Sequence, residues 1–197
     1  MRLRDENKRR TIVRTAVRLF SEQPFHKVRL DDVAAGAGIG KGTVYIYFKS
    51  KEDLYYSSVY DGFSELVKSL AGQLNEHRLP FDDKIRVIIR GLVEFSVRYP
   101  QLFEVMRTVG VPDASSEWDG KRRELSRLVE NVIREGVAAG EFTDSRPDQT
   151  SLYLLAMVRA VMQYGASQVD GDVLTQHLAS VLLNGIRKEI VPHRVVE

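Results

Sequence analysis

The chain has 197 residues, 43% of them hydrophobic and 28% charged, with no cysteine and a formal net charge of +2. These proportions suit a folded soluble protein of one or two domains and exclude a disordered, collagenous or disulfide-stapled one. Without cysteine there is no disulfide framework, no thiolate zinc site and no cysteine nucleophile.

The first ten residues are basic with no apolar run behind them, which is not the pattern of a secretory signal. Ile12, Ala16, Leu19 and Phe20 then recur at helical spacing and predict a first helix ending near Gln23-Pro24. Leu30, Val33, Ala34 and Ala37 repeat the pattern in short form, and Gly38-Ile39-Gly40 marks a turn before a short helix from Lys41 to Phe48. Ser50-Lys51-Glu52-Asp53 resembles a capping box, with Asp where Glu or Gln is usual, and opens a long helix to about Gln73. After Leu79-Pro80 a helix reads from Asp82 to Tyr99, and Pro100 can start a further short one. Gly110 to Gly120, with two glycines, a proline and two serines, reads as a mobile loop. Helices follow from Lys121 to Ala139, Pro147 to about Gln168 and Asp172 to Lys188, and the tail from Val191 reads as frayed. No stretch alternates like a strand, so the expected fold class is all-α. The apolar run Leu152–Val158 is cut by Arg159, far short of the roughly 18 residues a membrane span needs, so a cytoplasmic protein with no membrane partner is expected.

Charge divides the chain unevenly. Residues 1–51 hold twelve Lys/Arg against five acids, a net +7, while the remainder is net −5. A basic first quarter on an acidic remainder points to a polyanion partner for the first part, although solvated helix faces are the ordinary use of such charge. Three helices in about 50 residues bury little surface alone. They therefore need the long helix after Ser50 as a floor.

A helix-turn-helix needs a small residue in its first helix, a glycine at the turn and an apolar anchor in the second helix. Ala34, Gly38 and Val44 stand at that spacing, with Val33, Ala37 and Phe48 completing the apolar faces. At about 100° per residue, Val44 and Phe48 share one side of the second helix and Gly42 and Ile46 the opposite side. Thr43 and Tyr45 flank that outer side, and Tyr47 lies on its shoulder. Glycine and isoleucine suit a solvated face poorly. They suit a major groove, where Gly42 permits close approach and Ile46 meets a thymine methyl. Thr43 can donate to base or phosphate, and Tyr45 and Tyr47 can reach the phosphates, packing on neighbouring helices being their competing use. Lys41, Lys49, Lys51 and Arg29 lie at helix starts, where phosphate binding and plain solvation are both open.

The stretch Leu30-Asp-Asp-Val-Ala-Ala-Gly-Ala-Gly-Ile-Gly-Lys-Gly-Thr-Val-Tyr-Ile-Tyr-Phe-Lys-Ser-Lys-Glu-Asp-Leu54 resembles the amino-terminal signature of the TetR family of transcriptional regulators. The likeness spans about residues 8–56. Gly40 departs from it, because the family commonly has there a serine that caps the recognition helix. The resemblance implies that Lys41, Thr43, Tyr45, Tyr47 and Lys51 fall on DNA-contacting positions. It further implies double-stranded DNA as a partner, a helical ligand-binding domain and a homodimer. Residues 1–50 are then the DNA-binding domain and 51–197 the effector-binding and dimerisation domain.

In the remainder, the helix from Pro147 is apolar nearly all round, including Ala156 and Ala160, and a helix with no polar face is usually covered on both sides. Leu174, Leu178, Val181 and Leu182 add an apolar stripe on the next helix. Paired with a second copy, the two helices would make a dimer seam; an ordinary monomer core is the alternative. Phe63, Val67, Phe95, Phe103, Met106, Met157 and Met162 are candidates to line a pocket for a largely apolar small molecule, and equally the usual content of a core. Arg90, Arg107 and Arg159 among apolar neighbours can meet a ligand carboxylate or snorkel to the surface.

Enzyme chemistry reads poorly. Gly36-Ala-Gly-Ile-Gly-Lys-Gly-Thr43 superficially matches a phosphate-binding loop, but Ala35 stands where its first glycine belongs and Gly42 where it needs Ser or Thr. His26, His77, His177 and His193 lack metal-ligand spacing. No cofactor is expected. The function expected is a ligand-responsive homodimeric regulator on a roughly palindromic operator, a repressor in preference to an activator or a regulator controlled by a protein partner.

Overall fold

A computed structural model describes residues 5–75, 79–99, 116–164 and 170–186, apart from the side chains of Ser116, Met162 and Tyr164. Among the described residues there are eight helices and no strand: α1 (Glu6–Glu22), α2 (Leu30–Gly36), α3 (Lys41–Tyr47), α4 (Lys51–Leu74), α5 (Phe81–Arg98), α6 (Ser116–Ala138), α7 (Pro147–Tyr164) and α8 (Gly171–Ile186). The all-α expectation holds. The chain forms two compact units, Met1–Lys68 with Glu94–Lys121 and Ser69–Val93 with Arg122–Glu197. The short helix expected at Pro100, the helix ends past Tyr164 and Ile186 and the tail from Val191 lie outside the described residues.

In the first unit, the Asp5 carboxylate accepts the Asn7 and Lys8 N–H groups at 3.0 and 3.4 Å and caps α1. Ile12, Val13, Ala16 and Phe20 form its buried face, and the helix stops where Gln23 turns extended ahead of Pro24. α2 ends in a Schellman turn. Gly38 takes φ +66°, its N–H reaches the Ala35 carbonyl at 3.1 Å, and the Ile39 N–H reaches the Ala34 carbonyl at 3.0 Å. A side chain at residue 38 would strain that backbone, which is why the bend needs glycine.

The three short helices do not close a core by themselves. Val33, Ala34, Val44 and Phe48 pack into one cluster with Ile12, Ala16 and Phe20 and with Leu54, Tyr55, Tyr56 and Val59 of α4. The start of α4 is capped largely as its sequence suggests. Ser50 Oγ accepts the Asp53 N–H at 3.1 Å, but the Asp53 carboxylate accepts the Lys49 N–H at 2.8 Å, one residue before the Ser50 N–H of an ordinary capping box.

Tyr99, just past α5, belongs to the same cluster. Its hydroxyl donates to the Ser58 carbonyl at 3.1 Å. Burial pushes that hydroxyl's pKa up to about 12, so it is a neutral donor at pH 7. Its ring occupies the space beside Gly62, where a methyl group would stand 2.7 Å from Cζ. Gly62→Ala is therefore expected to destabilise the protein by about 1–3 kcal/mol through overpacking, read as a lowered melting temperature. An unchanged melting temperature would show that Tyr99 can move aside without loss.

The expected loop from Gly110 to Gly120 is corrected in its second half, because α6 begins at Ser116. Trp118 stacks on Phe63 at 5.7 Å and meets the edge of Tyr60 at 5.4 Å, while Glu117 and Asp119 complement the positive end of the helix. That packing outweighs the helix-breaking tendency of Gly120. Residues 110–115 lie outside the described set.

The second unit buries Ile85, Ile88 and Ile89 of α5, Val129 and Ile133 of α6, Leu154 and Val158 of α7, and Leu178 and Leu183 of α8. The Thr143 N–H donates to the Ile186 carbonyl at 2.6 Å and ties the loop after α6 to the end of α8. No helix among the described residues is long and apolar enough to cross a membrane.

Candidate nucleic-acid interface

α3 divides into two faces. Val44 is 0% exposed and Phe48 2%, whereas Tyr45 is 49% exposed and Ile46 59%. Gly42 is open, with no atom within 4 Å of where a side chain would begin. Thr43 is half-buried between the two faces. The outer surface of the helix thus consists of a bare glycine, an isoleucine and a tyrosine, uncovered by the rest of the chain.

Its first turn is held by charge. Lys41 Nζ lies 2.8 Å from Asp31, and Arg29 lies 3.8 Å from the same carboxylate. The hydrogen bond to Asp31 raises the Lys41 pKa, with its negative charge adding to the effect. Asp31, at the start of α2, was not singled out in the sequence. It draws Arg29 and Lys41 to one spot, where the Asp32 carboxylate also accepts the Arg29 N–H at 3.2 Å. Gly40 caps α3 without a side chain, as its departure from serine implies, and its carbonyl accepts the Thr43 N–H at 2.8 Å. Lys49 is exposed.

Two of the expected phosphate contacts are placed otherwise. The Tyr47 hydroxyl accepts the Asp5 N–H at 3.0 Å and donates to the Asp5 carbonyl at 3.2 Å, joining the end of α3 to the cap of α1. Lys51 Nζ donates to the Phe25 carbonyl at 2.9 Å and sits 4.4 Å from the Phe25 ring centroid. The Phe25 and His26 carbonyls of the α1–α2 connection lie within reach of Lys51, whose side chain turns inward to them. Periodicity assigns a side to each residue and says nothing of such long-range partners.

The effector candidates are distributed between packing and undescribed segments. Phe63 and Val67 are buried, and Phe63, Phe95 and Tyr99 form an aromatic run at 5.6 and 4.8 Å in the first unit. They pack as core in that unit. Met157 is a half-buried residue of the second unit, while Phe103, Met106 and the Met162 side chain lie outside the described residues. A cleft of about 1000 Å³ does open in the first unit, but its walls are polar, with Arg14, Arg18, Ser64, Glu65, Arg98 and Tyr99 among them. Among the described candidates, Phe63, Val67, Phe95 and Met157 are not part of its walls.

The dimer candidates also separate. Ala156, Ala160 and Val181 are exposed. Leu174, Leu178 and Leu182 are 7%, 5% and 7% exposed within the protomer, so their stripe packs largely against the unit's own core. A helix pair on a core must bury one stripe, and the most apolar stripe is the one it buries. The uncovered stripes are Leu152, Ala156 and Ala160 on α7, with Tyr153 beside them, and Val173 and Val181 on α8. The four-residue spacing from Ala156 and Ala160 was the available signal for Leu152, and the eight-residue spacing from Val181 the signal for Val173.

Residues 12–56 match the family model described as bacterial regulatory proteins, tetR family, and residues 78–186 match the one described as tetracyclin repressor-like, C-terminal domain. The uncharacterized HTH-type transcriptional regulator YhgD of Bacillus subtilis (strain 168) is 22% identical over 159 residues, covering 79% of this chain and 83% of that protein. The biofilm operon icaADBC HTH-type negative transcriptional regulator IcaR of Staphylococcus aureus (strain Newman) is 24% identical over 162 residues, covering 82% and 87%. Among solved structures, a transcriptional regulator from Saccharomonospora viridis in complex with choline superposes with a TM-score of 0.77 at 18% identity, covering 94% of this chain and 100% of that one.

Proposed function

The chain belongs to the TetR family of bacterial regulatory proteins, and from that premise we propose that it is a homodimeric repressor released from its operator by a small molecule. α3 enters the major groove of double-stranded DNA, Ile46 and Gly42 against base edges and Tyr45 and Thr43 flanking them. Arg29, Lys41 and Lys49 supply phosphate contacts. The observation that carries this reading is the exposure of Tyr45 and Ile46, 49% and 59%, on a helix whose opposite side is buried. Residues 1–50 act as the reading head and 51–197 as the effector-binding and dimerising body.

Two copies joined through the uncovered stripes of α7 and α8 would present their α3 helices to successive major grooves, about 34–36 Å apart. An effector that prefers a body conformation with a different helix separation weakens DNA binding by its differential affinity for that conformation. A negative regulator among the relatives supports repression, and a neighbour solved with a small organic cation supports a small-molecule site.

Selection of bound fragments from genomic DNA tests the reading. One sequence class of approximate two-fold symmetry is expected, with affinity falling steeply as salt rises because counterions are released. Recovery of unrelated fragments with equal affinity would sink it. For the dimer, Val181→Asp places a carboxylate on the uncovered stripe of α8 and is expected to halve the mass seen by sedimentation. The same mass as wild type would move the seam elsewhere.

A further inference from the structure

Arg9 stands where three helices meet. Its Nη1 donates to Asp61 Oδ2 of α4 at 2.7 Å and its Nη2 to Oδ1 at 3.5 Å. The same guanidinium lies 5.7 Å from the centroid of the Phe48 ring. Phe48 closes α3, its N–H bonded to the Val44 carbonyl, and is 2% exposed. Both members of the ion pair are about one-third exposed, 30% and 32%, so water screens them less than a surface pair. The hydrogen bond to Asp61 raises the Arg9 pKa against the opposing cost of burial, and Glu6 and Asp53 are the other carboxylates that act on it.

Asp61 lies on the turn of α4 that Tyr99 grips through the Ser58 carbonyl and the open side of Gly62. A continuous line of contacts therefore runs from Tyr99 through α4 to Asp61, then through Arg9 to Phe48, the residue that caps the end of α3. Neutralising Asp61 leaves the guanidinium to the attraction of Glu6 and Asp53 and loosens its place over Phe48. Resting on the reading of α3 as the DNA-facing helix, we propose that Asp61 is a positioning residue for DNA recognition, fixing the end of α3 through Arg9 so that the tilt of the reading helix follows α4.

The test uses the full chain, the genomic fragment that wild type binds most tightly and mixed-sequence DNA of the same length, titrated over a salt series. Asp61→Asn, Arg9→Met and the double variant are compared, with Asp61→Glu as a conservative rescue and melting curves as a control for folding. Each single variant is expected to weaken binding to the selected fragment by about 5- to 10-fold while leaving mixed-sequence binding and the salt slope unchanged. The double variant should lose no more than a single one, because both break the same link. Asp61→Glu should restore most of the loss. A lowered melting temperature with unchanged discrimination makes the pair a brace only and overturns the proposal. Loss from Arg9→Met that is equal on both DNAs, with a salt slope reduced by about 1, makes Arg9 a direct phosphate contact and also overturns it. If wild type selects no fragment, the DNA-binding reading falls and this proposal with it. If wild type selects and the variants match it, only the proposal falls.

Discussion

Val44→Asp is expected to unfold the reading head, at a cost of more than about 4 kcal/mol. Val44 is 0% exposed in the cluster that joins α1, α2, α3 and the start of α4. A carboxylate there loses its hydration and gains no cation, since the surrounding cluster is apolar and aromatic. Because α3 is seven residues long, it has too few internal hydrogen bonds to persist once its anchor is repelled. The variant should show lost helical signal and rapid proteolysis across residues 5–60, with operator binding abolished. Val44→Ala is the graded control, losing about 1–3 kcal/mol by removing buried methyl groups without burying a charge. Native-like melting of Val44→Asp would mean that α3 is held by something other than its buried face.

Ile46→Glu, two residues away, should have the opposite division of effects. Ile46 is 59% exposed, so the substitution should change stability by no more than about 0.5 kcal/mol. On DNA it removes an apolar contact with a base edge and sets a carboxylate among phosphates. Together these are expected to reduce operator affinity by at least about 100-fold, since one good base contact alone is worth about 1–3 kcal/mol. Circular dichroism and fragment binding on the same preparation check both halves. A folded variant with wild-type affinity would remove α3 from the interface. Val44→Asp and Ile46→Glu place a carboxylate on opposite sides of a two-turn helix, which makes the pair a direct test of its orientation.

The first fifty residues were legible because their signals are local. α2, α3 and the end of α1 lie within a residue or so of the bounds that apolar spacing and the glycine turn predict. The start of α6 was misread, because glycine, proline and serine around residues 110–120 suggest a loop. What overrides them is Trp118 stacking on Phe63, a residue more than fifty positions away in the chain. The stripe Leu174, Leu178 and Leu182 was legible as apolar, and most of its surface is covered within the protomer. A helix pattern reports how much apolar surface must be covered and leaves open whether the cover comes from the same chain.

By itself, the sequence determined that the fold class is all-α, that a glycine bend separates two short helices, and that Ile46 and Gly42 lie opposite Val44. Those properties follow from backbone stereochemistry and residue spacing, which act over a few residues. Only the tertiary structure decided that Tyr47 and Lys51 turn inward to Asp5 and Phe25, that Arg29 and Lys41 share Asp31, and that Arg9 reaches Asp61. Each of those polar groups had several partners of suitable chemistry in the chain. Which one came within about 3 Å was settled by how the helices pack, because a hydrogen bond weakens steeply over a fraction of an ångström.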